Sequence, residues 1–497
     1  MEGQFAQLTQ GILMALQPIS LIYIIVGVFL GLFVGAIPGL SSPMAITVLI
    51  PLTYPLGALH AMYILIGIYV GTKLGGSFAA IMVRTPGTPA AACTVQDGYP
   101  MAKKGKADLA LGYATYASTV GGLFGWLLLF TAAPMIALVA VKLTNADVAV
   151  FAFMGLIFVA TLSRGSMLKG LISVALGLLL STIGMDPITG LPRYTFGITQ
   201  LLGGLEFVSA MIGMFAITVV FSDINEVFKP KLKFIGAKIK LPKLKEFFKR
   251  WKALAVGIMW GSIMGPIPGV GSVASTWISY SFLKNRSQHP EKFGTGIPEG
   301  IMAPESSNNT VTGGAMIPMM TLGIPGDPST AVMLGALMIH GFRPGPLFFI
   351  ESSDLAYGII GGMLFTNIFM FIIALISIGV FVRALGYKRS VIFPLVLVMA
   401  VVGSYANTNS LFSIWVALGF GVLGYFVEKY GFSVPCVILA LILGPIIEEN
   451  MRLALVLSRG SYLTFLKSWP SAIGILLSIF IILIEIFREI KIGKNLA

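Results

Sequence analysis

The chain has 497 residues, of which 56% are hydrophobic and only 11% are charged, whereas about 25% of the residues in soluble domains are charged. This composition excludes a soluble enzyme, a nucleic-acid-binding protein and a disordered scaffold, and it indicates an integral membrane protein. The formal net charge is +13. Since Lys and Arg collect in the cytoplasmic loops of membrane proteins, this charge reports orientation and not an acidic partner.

Long segments contain no Asp, Glu, Lys or Arg. They are residues 3–72, 109–141, 253–283, 355–382 and 390–427. Because a spanning helix needs about 20 apolar residues, each segment is long enough for one or two crossings. The sequence therefore predicts an all-α polytopic membrane protein with about 12 transmembrane segments.

A basic stretch at residues 229–252 divides the chain, with ten Lys or Arg residues against a single Glu. A solvated cytoplasmic loop near anionic headgroups is favoured over a specific lipid site. We therefore predict a first membrane repeat at 1–228, a basic linker at 229–252, a second repeat at 253–468 and an extra C-terminal helix with a cytoplasmic tail at 469–497.

The two halves share weak motifs in the same order. The matches are 35–42 with 265–272, 86–89 with 325–328, 174–177 with 416–419, and Glu206 with Glu448. Basic residues follow the motif at 265–272 but not its match at 35–42, and they follow the motif at 86–89 more than its match at 325–328. This reversal is typical of inverted repeats, whose equivalent loops lie on opposite sides of the bilayer. The sequence thus predicts two inverted-topology repeats.

Pro-Gly pairs interrupt the apolar segments at corresponding places, which predicts re-entrant hairpins at about 72–100 and about 313–345. A broken helix offers free N–H groups to a carboxylate and free C=O groups to Na⁺, although Pro and Gly also kink helices or permit close packing. The predicted substrate-binding residues are Ser41, Ser42, Thr85, Pro86, Gly87, Thr88, Asn308, Asn309, Thr310, Pro325 and Gly326.

A dense polar run at residues 305–310 precedes the second tip. Its oxygen and amide groups suit a cation and a carboxylate, but an aqueous loop would also explain them. The candidate Na⁺ ligands are Ser272, Glu305, Ser306, Asn308 and Asp327. No catalytic His or Cys accompanies the run, which favours a protein that is not an enzyme.

Isolated charged residues have more than one interpretation. Lys73 is either an interfacial anchor or part of a site, and Arg84 pairs either with an anionic substrate or with Asp97. Glu206 and Glu448 are predicted to cap equivalent segment ends.

Small residues precede both tips, namely Gly75 and Gly76 in the first copy and Gly313 and Gly314 in the second. They predict either a surface along which one element slides past another or static close packing.

The chain resembles a known family at these motifs. The stretches are GAIPGLSSPMAITVLIPLT (35–53), the region from 71 to 111, GPIPGVGSVASTWISY (265–280) and EGIMAPESSNNTVTGGAMIPMMTLGIPGDPSTAVMLGAL (299–337). They are similar to the large membrane subunit of the tripartite tricarboxylate transporters, TctA.

The resemblance implies a multi-pass protein of the cytoplasmic (inner) membrane that imports di- or tricarboxylates such as citrate by cation-coupled alternating access. Na⁺ or H⁺ would be the coupling ion, with no tightly bound cofactor. The implied partners are a TctB-like small membrane subunit and a TctC-like extracytoplasmic substrate-binding protein. The sequence contains no phosphate-binding Gly-rich loop ending in Lys-Ser or Lys-Thr, which fits gradient-driven transport.

An ion or anion channel built on broken helices is the alternative interpretation, although channels favour rings of identical subunits over two unequal tips in one chain. An intramembrane enzyme would need a paired nucleophile and base. A homodimer in the lipid bilayer remains compatible with the sequence, and no nucleic-acid partner is expected.

Overall fold

The structure is a computed structural model that describes residues 2–37, 40–161, 167–222, 241–384 and 389–496. The predictions for Pro38, Gly39 and the part of the basic linker at 229–240 lie outside these residues.

The described chain is almost entirely helical. In chain order the helices are α1 (Glu2–Ala15), α2 (Pro18–Gly35), α3 (Ser42–Leu49), α4 (Ala58–Val83), α5 (Val95–Met101), α6 (Ala107–Ala140), α7 (Asn145–Thr161), α8 (Met167–Ser181), α9 (Phe207–Met211), α10 (Thr218–Ser222), α11 (Leu244–Phe248), α12 (Trp251–Met264), α13 (Gly271–Asn285), α14 (Glu299–Leu322), α15 (Pro328–Ile339), α16 (Phe348–Glu351), α17 (Ser353–Ala384), α18 (Arg389–Thr408), α19 (Leu411–Lys429), α20 (Val434–Leu457), α21 (Thr464–Lys467) and α22 (Trp469–Leu496). Strands β1 (Gly184–Met185) and β2 (Pro192–Arg193) form an antiparallel pair between α8 and α9.

Seven helices in the described ranges are long and apolar enough to cross a membrane: Pro18–Gly35, Ala58–Val83, Val95–Ala140, Ser353–Ile378, Leu411–Lys429, Val434–Leu457 and Trp469–Phe487. Shorter apolar helices accompany them, including α7, α8, α12 and α15. The prediction of an all-α polytopic membrane protein is confirmed.

The helices form two compact units. Unit 1 comprises Met1–Ile136 and Asp223–Val396, and unit 2 comprises Ala137–Ser222 and Leu397–Ala497. Each unit therefore contains sequence from both predicted repeats.

The repeat is visible within unit 1. Helix α2 packs along α4, and α12 packs along α14 in the same way. A methyl group on Gly75 would lie 3.1 Å from the carbonyl carbon of Gly35, and one on Gly314 would lie 2.9 Å from Cα of Gly265. These two glycine contacts occupy corresponding sequence positions, so the motifs mark equivalent helix crossings.

Both helix breaks begin at a left-handed residue. Arg84, which follows the last residue of α4, has a φ of 58°, and Gly323, which follows the last residue of α14, has a φ of 70°. After the second break, the Asp327 side chain accepts from the backbone N–H of Thr330 at 2.8 Å, and the Thr330 hydroxyl accepts from the N–H of Asp327. This capping box, followed by Pro328 in the first turn, starts α15.

Helices α4 and α14 form the core of unit 1. Every residue of α4 from Ala61 to Val83 is buried, and so is every residue of α14 from Gly300 to Thr321. The polar run therefore lies within a continuous buried helix, and its interpretation as an aqueous loop is wrong.

In unit 2, α8 packs on α20, while α19 packs on the wide helical turn Ile212–Ile217 that joins α9 to α10. The Glu206 side chain caps α9 by accepting from the N–H groups of Val208 and Ser209. Glu448 lies in the interior of α20, so the prediction that the two glutamates cap equivalent ends is wrong for Glu448.

Glu448 belongs instead to an ionic network in unit 2. It accepts from Arg193 at 2.6 Å and from Arg452 at 3.0 Å, and Arg452 also donates to Asp186 at 2.6 Å. The backbone N–H of Thr189 and the Arg452 guanidinium hold the pKa of Asp186 well below its usual range. Asp186 therefore stays charged at any physiological pH, and the network ties the loop after α8 to α20.

Candidate functional site

The carboxylate of Glu305 is the centre of a hydroxyl cluster, which we define as Glu305 with Ser77, Thr94 and Ser118. Oε1 accepts from the Ser77 hydroxyl at 2.5 Å and from the Thr94 hydroxyl, and Oε2 accepts from the Ser118 hydroxyl at 3.0 Å. All four side chains are fully buried. The three hydroxyls come from α4, from the residue before α5 and from α6. Within the described residues, no Lys, Arg or His forms an ion pair with this carboxylate.

Lys73 forms a second polar group one turn earlier on α4. Its Nζ donates to Ser272 Oγ at 2.6 Å and lies 3.6 Å from Asp327 Oδ2. The Tyr69 hydroxyl donates to the same Asp327 oxygen at 2.6 Å. Lys73 is only 5% exposed, so its interpretation as an interfacial anchor is wrong.

Asn308 is the most unusual side chain of the polar run. It is fully buried, and neither its Nδ2 nor its Oδ1 has a hydrogen-bond partner within the described residues. Asn309 donates weakly to the Glu305 carbonyl at 3.4 Å, while its Oδ1 lacks a partner, as does the buried Thr88 hydroxyl. An unmade hydrogen bond costs a buried polar group about 1–3 kcal/mol, so a ligand that bonded these atoms would recover that free energy.

The helix breaks are held by backbone contacts within each copy. The Gly87 N–H donates to the Gly76 carbonyl at 3.1 Å, and the Gly269 N–H donates to the Gly326 carbonyl at 2.9 Å. The Thr85 hydroxyl donates to Val83 O at 3.3 Å. Pro86 and Pro325 lie in these breaks and cannot donate a backbone hydrogen bond themselves.

The two serines predicted after the first Pro-Gly pair have structural partners. Ser41 caps α3 by accepting from the Met44 N–H at 3.4 Å, and Ser42 is buried and accepts from the Thr72 hydroxyl at 2.8 Å. Ser42 therefore lies against α4, beside the residues that precede the first break.

The structure does not bring all predicted ligands together. Ser306 donates to the Met302 carbonyl of its own helix at 2.8 Å, and Thr310 donates to the carbonyls of Ser306 and Gly121. Both hydroxyls donate to main-chain carbonyls, and neither is among the hydroxyls that bond the Glu305 carboxylate. Among the described residues, no set of three or more His, Cys, Asp or Glu side chains has the arrangement of a metal site.

The predicted Na⁺ ligands thus fall into separate groups. Ser272 and Asp327 already bind the Lys73 ammonium, Glu305 lies in the hydroxyl cluster, and Asn308 has no partner in the described part of the chain. A monovalent cation at Glu305 would find carboxylate and hydroxyl oxygens, which are hard ligands.

Asp97 joins the two copies within unit 1. Its carboxylate accepts from the N–H groups of Gly294, Gly296 and Ile297 at 2.7–3.0 Å and from the Tyr280 hydroxyl at 2.9 Å. Arg84 instead lies over the Tyr99 ring, 5.8 Å from its centroid. The suggested pairing of Arg84 with Asp97 is therefore wrong.

We expect Asp97→Asn to destabilise unit 1 by about 3 kcal/mol, since charged hydrogen bonds contribute about 1.5–3 kcal/mol each and an amide would turn a donor toward backbone donors. Tyr280→Phe removes a single partner and should cost about 1 kcal/mol. Thermal unfolding of the detergent-purified protein measures both. An Asp97→Asn variant as stable as Tyr280→Phe would contradict this role.

Sequence reasoning missed the partners of the buried charges. Tyr69, Ser77, Thr94 and Ser118 are single polar residues in apolar or small-residue segments, and each meets a residue about 190–260 positions away. Ser77 follows Lys73 by one helical turn, which was a usable signal. Nothing in its local sequence distinguishes Ser118.

The fold and the buried polar groups define a polytopic membrane protein with paired helix breaks. The model of the tripartite tricarboxylate transporter TctA family matches residues 21–439, and the chain belongs to this family. It is therefore a component of a tripartite tricarboxylate transport system, which points to a non-enzymatic role.

Two relatives from Agrobacterium vitis are similar to the chain. One, an uncharacterized 52.8 kDa protein in the TAR-I ttuC' 3' region, is 36% identical over 474 residues, covering 95% of this chain and 94% of the relative. The other, an uncharacterized protein in the TAR-II ttuC' 3' region, is 36% identical over 216 residues, covering 44% of this chain and 89% of the relative. No solved structure matches the chain.

Proposed function

We propose that this chain is the permease subunit through which a di- or tricarboxylate is imported, with inward movement coupled to Na⁺ or H⁺ by alternating access. The observation that supports this most is the buried amide of Asn308, which bonds none of the residues that the structure describes and lies in a unit that contains two corresponding helix breaks. Binding-site polar groups in a transporter are expected where discontinuous helices meet.

In this proposal the substrate carboxylate accepts from Asn308 Nδ2, from the Thr88 hydroxyl and from N–H groups at the helix breaks. Glu305 and the hydroxyls of its cluster bind the coupling cation. Asn309 lies on the same helix, where its Nδ2 donates to the main-chain carbonyl of Glu305 at 3.4 Å while its Oδ1 lacks a described partner. Because Glu305, Asn308 and Asn309 all lie on α14, a displacement of α14 on binding of one ligand would change the position of the groups that bind the other.

The proposal extends to orientation and partners. The basic linker and the C-terminal tail face the cytoplasm in the inner membrane, and a TctB-like membrane subunit and a TctC-like binding protein assemble with this chain. A channel is less well supported, because the two breaks are chemically unequal: Asp327 stands in the second at the position of Thr88 in the first.

Uptake into proteoliposomes tests the function. Citrate, tartrate, succinate and aromatic dicarboxylates are supplied with the binding protein, with and without a Na⁺ or pH gradient. Gradient-dependent accumulation and counterflow of labelled substrate support a coupled transporter. Passive flux without counterflow would indicate a channel and overturn the proposal.

Variants of Asn308 test the site. Asn308→Ala should weaken the apparent substrate affinity roughly 5- to 150-fold, which corresponds to the about 1–3 kcal/mol of one or two lost contacts. Asn308→Asp should be worse for a carboxylate substrate, since it replaces the donor by a second negative charge. Asn450→Ala is the matched control, because that amide donates to Ile446 O in unit 2 at 2.8 Å. Unchanged affinity in both Asn308 variants would place the site elsewhere.

A further inference from the structure

The internal repeat relates the surroundings of Lys73 to those of Asn308. An offset of 239 residues aligns Tyr69 with Asn308, Lys73 with Thr312, and Thr88 with Asp327, and an offset of 230 aligns Ser42 with Ser272. We call the first set, Tyr69, Lys73, Ser272 and Asp327, the Lys73 position. We call the second set, Asn308, Thr312, Ser42 and Thr88, the Asn308 position.

The helix contacts support this correspondence. Helix α15, after the second break, packs on α3 of the first copy, and the short helix Pro89–Ala92, after the first break, packs on α13 of the second copy. A methyl group on Gly87 would lie 2.8 Å from Cα of Gly76, and one on Gly326 would lie 2.6 Å from Cα of Ala315. Each break therefore returns against the equivalent point of its own preceding helix.

The two positions differ in charge. The Lys73 position holds one ammonium, which donates to the Ser272 hydroxyl, and one carboxylate, which accepts from the Tyr69 hydroxyl, and these two charges lie 3.6 Å apart. The Asn308 position holds only neutral groups, and Thr88 Oγ1 and both amide atoms of Asn308 have no described partner. The polar groups of the Lys73 position thus bond one another, while three polar atoms of the Asn308 position have no partner among the described residues.

We propose that the Lys73 ammonium is a built-in cation that stands at the second helix break in place of an exchangeable Na⁺. Its Nζ has the Ser272 hydroxyl at 2.6 Å and the Asp327 carboxylate at 3.6 Å, where α15 starts after the second break, and oxygen ligands of these kinds also suit a small monovalent cation. Since the ammonium is covalently tethered, the charge at this break stays balanced when ligands bind and leave. Exchange of ligands is then confined to the Asn308 position and the hydroxyl cluster.

This inference deepens the proposed function, because it says which of two related positions exchanges its ligand. It makes a separate prediction, however, that requires no transport. Removing the ammonium leaves Asp327 buried and unpaired, and breaking a buried pair in this way is strongly destabilising. If the Lys73 position suits a free cation, Na⁺ should bind beside Asp327 and restore the stability that the variant has lost.

The test uses Lys73→Gln and the double variant Lys73→Gln/Asp327→Asn, purified in lipid nanodiscs as full-length chains. Melting temperature and ²²Na⁺ binding are measured in NaCl and in N-methyl-D-glucamine chloride. Lys104→Gln is the control, because the exposed Lys104 ammonium donates to the Thr295 carbonyl and, among the described residues, forms no ion pair. We expect Lys73→Gln to be destabilised without Na⁺, to be stabilised by Na⁺ and to bind one more Na⁺ than the wild type, by linkage of binding to stability. The double variant should regain stability without Na⁺ and lose the additional ion.

Each other outcome overturns the proposal. A Lys73→Gln variant whose stability and Na⁺ binding match the wild type shows that no cation is needed at this break. A variant that Na⁺ does not rescue, while the double variant folds, shows that a free cation does not fit. A double variant no more stable than Lys73→Gln shows that Lys73 acts through packing. Because none of these readouts involves substrate, failure of the proposed transport function would leave them unchanged.

Discussion

Glu305→Gln is expected to reduce gradient-driven uptake by about 100-fold while leaving the chain folded. The substitution keeps the shape of the side chain but removes the charge that three hydroxyl groups now stabilise. Hydrogen bonds to a charged group contribute about 1.5–3 kcal/mol, and a coupling cation would lose its only charged ligand in the cluster. Initial uptake rates at varied Na⁺ concentration and pH measure the effect.

Glu299→Gln is the matched control, because Glu299 lies in the first turn of the same helix and pairs with Arg250 at a partly exposed site. We expect that variant to transport normally. Glu305→Gln should still perform substrate counterflow if the substrate groups of Asn308 are intact. Uptake that depends on Na⁺ or pH as in the wild type would show that Glu305 does not bind the coupling ion.

The architecture of the protein could be predicted because it follows from strong, local signals. Charge-free segments identify membrane helices by length alone, and the Pro-Gly pairs identify the points where helices end. The short α12, with 14 residues, shows the limit of that reasoning. It is apolar but ends at Met264, before the Pro268-Gly269 pair, so a count of segments by hydropathy does not give its bounds.

The polar run shows what could be predicted of the site. Residue types alone suggested that Glu305, Ser306 and Asn308 act together. In a helix, residues three or four apart share a face whereas adjacent residues do not, so Asn308 and Asn309 lie nearer to the face of Glu305 than Ser306 does. Treating the run as a helix would have separated Ser306 from the candidate ligands.

The partners of the buried charges could not be predicted, because they come from packing between the two copies. Lys73 meets Ser272 and Asp327, which are about 200 and 250 residues away, and no local pattern encodes that distance. The prediction that Glu206 and Glu448 cap equivalent ends was wrong for Glu448 for a related reason. A shared offset in sequence does not show that two residues have the same place in their helices.

Gly87→Ala is expected to destabilise unit 1 by at least about 3 kcal/mol and to abolish transport. The added methyl group would lie 1.8 Å from the Gly35 carbonyl oxygen and 2.8 Å from Cα of Gly76. Both neighbours are backbone atoms, so no side chain can rotate away, and overpacking of this kind typically costs about 1–3 kcal/mol or more. The Gly87 N–H bond to Gly76 O would be strained as well.

Gly57→Ala is the control, since Gly57 precedes the same helix α4 and a methyl group there meets no atom within 4 Å. We expect it to change stability by less than about 1 kcal/mol. Thermal unfolding and uptake are measured for both variants. Joint loss of stability and transport in Gly87→Ala supports static close packing at the first break. A stable Gly87→Ala variant that binds substrate but does not transport would instead show that the break must move past Gly35 during the cycle, and normal stability with normal transport would contradict the close approach itself.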